Sequence, residues 1–310
     1  MIQCSIGQIV LCFMEKHAIL NATEGGMIMR EIRQVGWISC SNGLKPDVEQ
    51  ELNHLEQVLG QERISVRRSN CLFARDEVRG GTAKERADCL MELYDDRNID
   101  AIFDLSGGDI ANEILPHLDF SVIERARNSF GQPKRFWGYS DLTVLHNAIY
   151  SQTGLPGNLY QMRFYSGQPD LFSWEYRMVQ GTELSGTVVG GNIRCLLKLA
   201  GTRYFPDCRG KVLLLEARSG SVPQMITYLS QLQQLGVLDE VNGIVLGTFT
   251  QMERGHQKPD ITELVRQFVG PELPVAKTQQ IGHAVTSKAI LIGHPIALSA
   301  RNGFWKGEDQ

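Results

Sequence analysis

Between residues 30 and 165, short apolar runs alternate with stretches whose apolar residues recur every three or four positions. Val35-Gly-Trp-Ile-Ser-Cys40 is apolar, carries β-branched residues and ends in Ser41-Asn42-Gly43, which predicts a buried strand and a loop. Pro46 opens a helix with Leu52, Leu55, Val58 and Leu59 on one face and Gly60 as a stop. Ile64-Ser-Val66 is a second strand. Thr82-Ala-Lys-Glu85 has the spacing of a capping box, and Ala87, Leu90, Leu93 and Tyr94 follow at helical spacing. The strand Ile99–Leu105 runs directly into Ser106-Gly107-Gly108-Asp109 and then a helix bearing Ala111, Ile114, Leu115 and Leu118. Lys134–Gly138 is a further strand. Ser140 or Asp141 is placed to cap a helix carrying Leu142, Leu145, Ile149 and Tyr150. The stretch 166–184 has no period and reads as a linker. Beyond it, strands are expected at 186–189, 211–215, 243–249 and 289–292, and helices at 192–199, 221–235 and 260–268.

Strands alternating with helices predict α/β layering around a largely parallel sheet. At roughly 100–200 residues per domain, 310 residues suggest two domains. The expected division is an extension over 1–28, a domain over 29–165, the linker 166–184 and a second domain over 185–310. A hydrophobic fraction of 42% is enough for a substantial core. The net charge of -4 gives no electrostatic case for a nucleic-acid partner. Seven scattered cysteines form no CxxC or Cys/His cluster, so neither a metal nor a disulfide framework is expected, and reduced thiols suit the cytoplasm. Within the first 28 residues, Ile9–Met14 is apolar but far below the ~20 residues of a membrane span. A basic leader and a small-residue cleavage site are missing, and Met27 and Met29 follow, so this stretch reads as a non-essential extension.

Three places could carry chemistry. At the strand–Gly107-Gly108–helix junction the backbone turns sharply, and free N–H groups at the following helix start favour an anion or a developing oxyanion. The same junction is equally a plain structural turn. Glu216 ends the apolar strand Leu213-Leu-Leu-Glu216, either facing solvent or orienting a histidine. His283, in Ile281-Gly-His283, is a general base or a structural loop residue. His294 lies in or beside a late strand and competes poorly.

Taken in order, these features carry a resemblance. Thr82-Ala-Lys-Glu-Arg86-Ala87, Gly107-Gly108 with Leu115-Pro116-His-Leu118-Asp119, and Gly138-Tyr-Ser-Asp-Leu-Thr143 resemble motifs of the LD-carboxypeptidase family of serine peptidases, which includes the microcin C self-immunity peptidases. Gly190-Gly-Asn192, Gly201-Thr202 with Pro206-Asp207, Leu215-Glu216 and Gly282-His283 extend the resemblance over about residues 33–298. It implies an N-terminal layered α/β domain, a smaller C-terminal β-rich α/β domain, a site between them and a homodimer. It also implies a Ser-Glu-His triad whose Glu and His fall on Glu216 and His283, with oxyanion donors near Gly108 and Asn112. No metal or organic cofactor is implied.

The serine of that triad falls on Ala111, which has no hydroxyl, so the acyl-enzyme route is closed there. In one protease system loss of the nucleophile costs about a million-fold in turnover, or roughly 8 kcal/mol. Ser106 and Ser140 are nearby hydroxyls that either cap backbone or replace the missing group, and a water could be activated by His283. Asp109 and Ala217 depart from the family pattern and put the substrate class in question. Trp174 either packs in the linker or stacks on a substrate ring. The resulting expectation is a cytoplasmic carboxypeptidase-type hydrolase of small peptides or peptide-like amides, impaired at Ala111. The competing expectation is a non-catalytic protein that binds a peptide or peptide-nucleotide ligand. Neither involves nucleic acid or membrane.

Overall fold

In the first half of the chain, strands β1 (Gln34–Ile38), β2 (Ser65–Arg68), β3 (Ala101–Asp104), β4 (Arg135–Gly138) and β5 (Gly157–Leu159) alternate with helices α1 (Glu49–Gln61), α2 (Ala83–Asp95), α3 (Phe120–Arg125) and α4 (Thr143–Thr153). This is a computed structural model, and it describes residues 32–306; the expected extension over 1–28 lies outside them. All of β3 is buried, as is most of β1, because helices cover both faces of the sheet. On one face Leu52, Leu55 and Leu59 of α1 join a core with Trp37, Phe103 and Trp137. On the other, Leu90 and Leu93 of α2 meet Val144, Leu145 and Ala148 of α4. The α2 capping box forms as read, with Thr82 accepting from the Glu85 amide and Glu85 accepting from the Thr82 amide.

The second half contains β6 (Ser173–Glu175), β7 (Arg177–Gln180), β8 (Glu183–Asn192), β9 (Val212–Ala217), β10 (Gly243–Phe249), β11 (Val275–Lys277), β12 (Ile290–Ile292), β13 (Pro295–Ser299) and β14 (Phe304–Lys306). Its helices are α5 (Ile193–Leu197), α6 (Val222–Gln234), α7 (Val237–Glu240), α8 (Thr250–Arg254) and α9 (Ile261–Val265). Among the described residues the first sheet runs β12-β5-β4-β3-β1-β2, parallel from β2 to β5, with β12 antiparallel at one edge. The second runs β13-β8-β9-β10-β11-β7, with a parallel centre and antiparallel edges. The chain is therefore the α/β protein that its periodicity predicts.

Three local readings need correction. The stretch 166–184 is not bare linker: β7 forms the edge of the second sheet and β6 pairs with β14. These strands are too short to show a period of two. Residues Ala111–His117 form a 3-10 helix, not an α-helix, and Pro116 inside it has no N–H to donate. Neither Ser140 nor Asp141 caps α4 through its side chain.

The parallel strands put their carboxyl ends on one side, where open α/β sheets place ligands. His146 on α4 braces one of those ends. Its Nε2 lies 3.0 Å from the Gly138 carbonyl, and its ring packs edge-on against Phe136. Burial holds the ring neutral and pushes its pKa from 6.5 down to about 4. The unfolded chain therefore takes up a proton near 6.5 that the folded chain refuses until about 4. His146 thus contributes stability that is complete above the higher value and declines as pH falls toward the lower, by about 3 kcal/mol in all. Urea titrations across that window should show this decline, and His146→Gln should remove that share of it. An unchanged pH dependence in the variant would contradict the assignment.

Candidate active site

Two buried carboxylates, Glu216 near the end of β9 and Asp141 just after β4, organise the carboxyl ends of the strands. Glu216 ends β9 with no exposed surface, which excludes the solvent-facing reading. A carboxylate at that depth requires polar partners. Its Oε1 accepts from Asn192 Nδ2 at 2.9 Å, and its Oε2 lies 2.8 Å from His283 Nδ1. Tyr139 is buried near the same carboxylate; burial and that negative charge push the phenol well above its ordinary pKa. The Tyr139 ring also meets His283 edge-on, with centroids 4.8 Å apart. Both ring nitrogens and Glu216 Oε2 are buried without a hydrogen bond to a described residue; turning Nδ1–H toward Glu216 would leave Nε2 as the proton acceptor.

The His283 loop is held by the end of β10, where the Thr248 amide donates to the Ile281 carbonyl at 2.8 Å. A side chain at Gly282 would overlap the Thr248 hydroxyl, so glycine is required beside the histidine.

Asp141 is the second buried carboxylate. Its Oδ2 accepts from the Ser41 hydroxyl at 2.7 Å and from the Ala111 amide at 2.9 Å, while Oδ1 takes Lys198 of the second half of the chain. Ala111 itself has no exposed surface and packs with Ile114 and Leu115. Between these anchors runs the Gly-Gly turn. The Asn42 amide donates to the Gly107 carbonyl at 3.2 Å, and the Asp109 amide donates to Asn42 Oδ1 at 3.0 Å. Gly108 has φ +131°, and a side chain there would overlap Asn42. Arg194 donates to the Gly108 carbonyl at 3.2 Å and pairs with Asp109. Fully buried Arg86 donates to the Cys40 carbonyl and pairs with Glu113 at 2.5 Å, which steadies the loop from behind.

A cavity of about 1030 Å³ opens over this turn. Gly107, Gly108, Tyr139, Ser140 and His283 lie on its wall together with Lys45, Arg163, Arg218 and Arg254. Arg163 is paired with Glu51 at 3.0 Å; Arg218 and Arg254 form no ion pair with any described residue. The structure therefore brings Glu216, His283 and Gly108 to one place. Ala111 lies beneath the turn, outside the cavity wall, and Asn112 is exposed and also outside it. His294 is remote from this cavity and bonds its own neighbour, the Pro295 carbonyl. Trp174 is fully buried against Trp305 and Tyr176, so stacking on a ligand is ruled out in favour of packing. Among the described residues no cluster of three or more His, Cys, Asp or Glu could hold a metal ion, and no helix is long and apolar enough to cross a membrane.

Sequence reasoning assigned no part in the site to Asn42, Tyr139, Asp141, Asn192 or Lys198. Three of these stand inside motifs quoted above, Gly138–Thr143 and Gly190-Gly-Asn192. Asn42 and Lys198 carry no sequence signal, because their partners are distant in the chain.

Two family models match the chain: the LD-carboxypeptidase N-terminal domain over residues 35–161 and the LD-carboxypeptidase C-terminal domain over 185–298. A Bacillus subtilis (strain 168) protein described as a probable murein peptide carboxypeptidase is 28% identical over 264 residues, covering 76% of this chain and 80% of its own. The microcin C7 self-immunity protein MccF of Escherichia coli is 26% identical over 277 residues, covering 73% and 79%. The solved structure of MccF in complex with glutamyl sulfamoyl guanosine superposes with a TM-score of 0.76 at 20% identity, covering 88% of this chain and 95% of that one.

Lys198 is the cation facing fully buried Asp141. Lys198→Met should cost about 3–5 kcal/mol in denaturant unfolding by leaving that charge uncompensated. Adding Asp141→Asn should recover part of the loss. A single-variant cost below about 1 kcal/mol would contradict this account of Asp141.

Proposed function

This chain belongs to the LD-carboxypeptidase family, and from that premise we propose that it is a hydrolase of small peptides or peptide-like amides with a free terminal carboxylate. Its acid–base pair is Glu216–His283; Ala111, buried in the core outside the cavity, takes no part in the site. The observation that carries this reading is the 2.8 Å approach of His283 Nδ1 to fully buried Glu216, with Nε2 free to take a proton. A buried carboxylate beside a histidine suits acid–base work, because an aspartate or glutamate in that role orients the ring and stabilises its cation. Gly108 N–H, which donates to no described residue, is the proposed oxyanion donor. Arg218 and Arg254 supply positive charge for a terminal carboxylate.

The substrate class draws support from how the relatives are described: a probable murein peptide carboxypeptidase, and MccF in complex with glutamyl sulfamoyl guanosine. Arg218 and Arg254, which form no ion pair with any described residue, suit equally a second reading, in which the cavity binds such a ligand and leaves it intact.

Purified protein should be assayed on a tetrapeptide ending in D-alanine and on an acyl-adenylate analogue. The hydrolase reading expects turnover that His283→Ala lowers by about 10²-fold or more. Equal rates for the two proteins would overturn it. Thermal stabilisation by the same ligands without turnover would establish the binding reading instead.

A further inference from the structure

We propose that Cys71 and Cys89 form a thiol–disulfide site, closed by a peroxide and reopened by a dithiol, that locks the brace behind the cavity wall. Neither residue lines the cavity, and the pairing does not depend on whether the cavity hydrolyses its ligand or only binds it. The two sulfurs lie 3.1 Å apart. A disulfide bond needs about 2.05 Å, so an approach of about 1 Å closes it. The two cysteines come from different elements: Cys71 from the loop after β2, Cys89 from the middle of α2.

Their surroundings give them different parts. Cys71 has no exposed surface, whereas Cys89 is the one described cysteine that is not fully buried. A hydrogen bond from the Cys71 thiol favours the Cys89 thiolate and draws its pKa from 9.0 down to about 7, and the Arg75 guanidinium acts in the same direction. The same contact, together with burial, raises the Cys71 thiol. A reachable thiolate beside a second, resolving thiol is the arrangement of redox-sensing cysteines. A side chain at Gly80 would overlap the Cys71 carbonyl, so glycine there lets the loop fold tightly over Cys71 and hold it in place.

Both elements support the cavity wall. The Leu44 amide donates to the Leu72 carbonyl at 2.9 Å, the Ala74 amide to Leu44 at 2.8 Å and the Gly43 amide to Val78 at 2.8 Å. Asn42, Gly43 and Leu44 line the cavity, and Asn42 holds the Gly-Gly turn. From α2, Arg86 lies one turn before Cys89; it donates to the Cys40 carbonyl and, at 3.2 Å, to the Gly81 carbonyl. Among the described residues an exposed ion pair, Arg75 with Glu85 at 3.2 Å, also joins the loop to α2. A covalent bond between Cys71 and Cys89 adds to these contacts a link that solvent does not screen.

In the reaction, the Cys89 thiolate attacks one peroxide oxygen. The O–O bond breaks, hydroxide leaves and takes up the proton that Cys89 had released, and Cys89 becomes a sulfenic acid. Cys71 sulfur then attacks Cys89 sulfur. The S–O bond breaks, and the departing hydroxide takes the Cys71 proton and leaves as water. The two sulfurs give up two electrons, and one peroxide becomes two waters. A dithiol returns the electrons by thiolate attack on the disulfide and is itself oxidised to a disulfide.

The test treats the full chain with stoichiometric hydrogen peroxide, alkylates the remaining thiols and maps proteolytic peptides by mass spectrometry without reduction. The expected product joins the Cys71 and Cys89 peptides and is separated by dithiothreitol. Cys71→Ala should leave Cys89 as a sulfenic acid that dimedone traps, and Cys89→Ser should abolish the link. The oxidised chain should melt about 5 °C higher than the reduced one. Amide hydrogen exchange over 69–81 should slow by roughly ten-fold. Oxidation of Cys89 without a link to Cys71, or a link to any other cysteine, would overturn the proposal. A Cys71–Cys89 link that leaves melting and exchange unchanged would overturn its locking role.

Discussion

Asp141 is a carboxylate without exposed surface that must be neutralised where it stands, and satisfying it ties three parts of the chain together. Ser41 comes from the loop after β1, the Ala111 amide from the segment after the Gly-Gly turn, and Lys198 from beyond α5. The carboxylate therefore fixes the loop ends of the first sheet relative to one another and against the second half of the chain. It also fixes Ala111, whose amide it holds while the methyl group packs in the core. Because Asp141 follows Ser140 directly, the same anchor sets the turn on which that serine rides.

Glu216 plays the matching part on the second sheet. Desolvation near the end of β9 makes polar neighbours obligatory, and they arrive from elsewhere: Asn192 at the end of β8 and His283 from the loop after β11, with Tyr139 after β4 packed on the histidine ring. Tyr139 sits next to Ser140, so the two carboxylate networks meet at residues 139–141. This is why the base, the Gly-Gly turn and the cavity share one location although they are spread over much of the chain.

Sequence reading located the α/β alternation well because buried parallel strands such as Ala101–Asp104 are apolar throughout and the amphipathic faces of α1 and α2 are regular. It failed at 166–184, where strands of three and four residues pair with partners far along the chain. For the site, Gly108, Glu216 and His283 were singled out by resemblance, and the fold brings these residues to one place. Asn112 was placed by proximity to the turn, but its exposed position in the 3-10 helix leaves it outside the cavity wall. Asn42 and Lys198 were invisible because each acts on residues about 60 or more positions away. Asp141 was read as a helix cap because local spacing permits that role; the tertiary demand of Lys198 and the Ala111 amide took precedence.

The central claim is that Glu216–His283 serves the cavity above the Gly-Gly turn while Ala111 stays beneath it. A structure with a bound peptide boronate ending in a free carboxylate tests this most directly. The account predicts the boronate between the Gly108 amide and His283 Nε2, its carboxylate toward Arg218 and Arg254, with Ala111 still in the core. A ligand seated elsewhere, or a 107–112 segment turned so that Ala111 faces the boron, would contradict it.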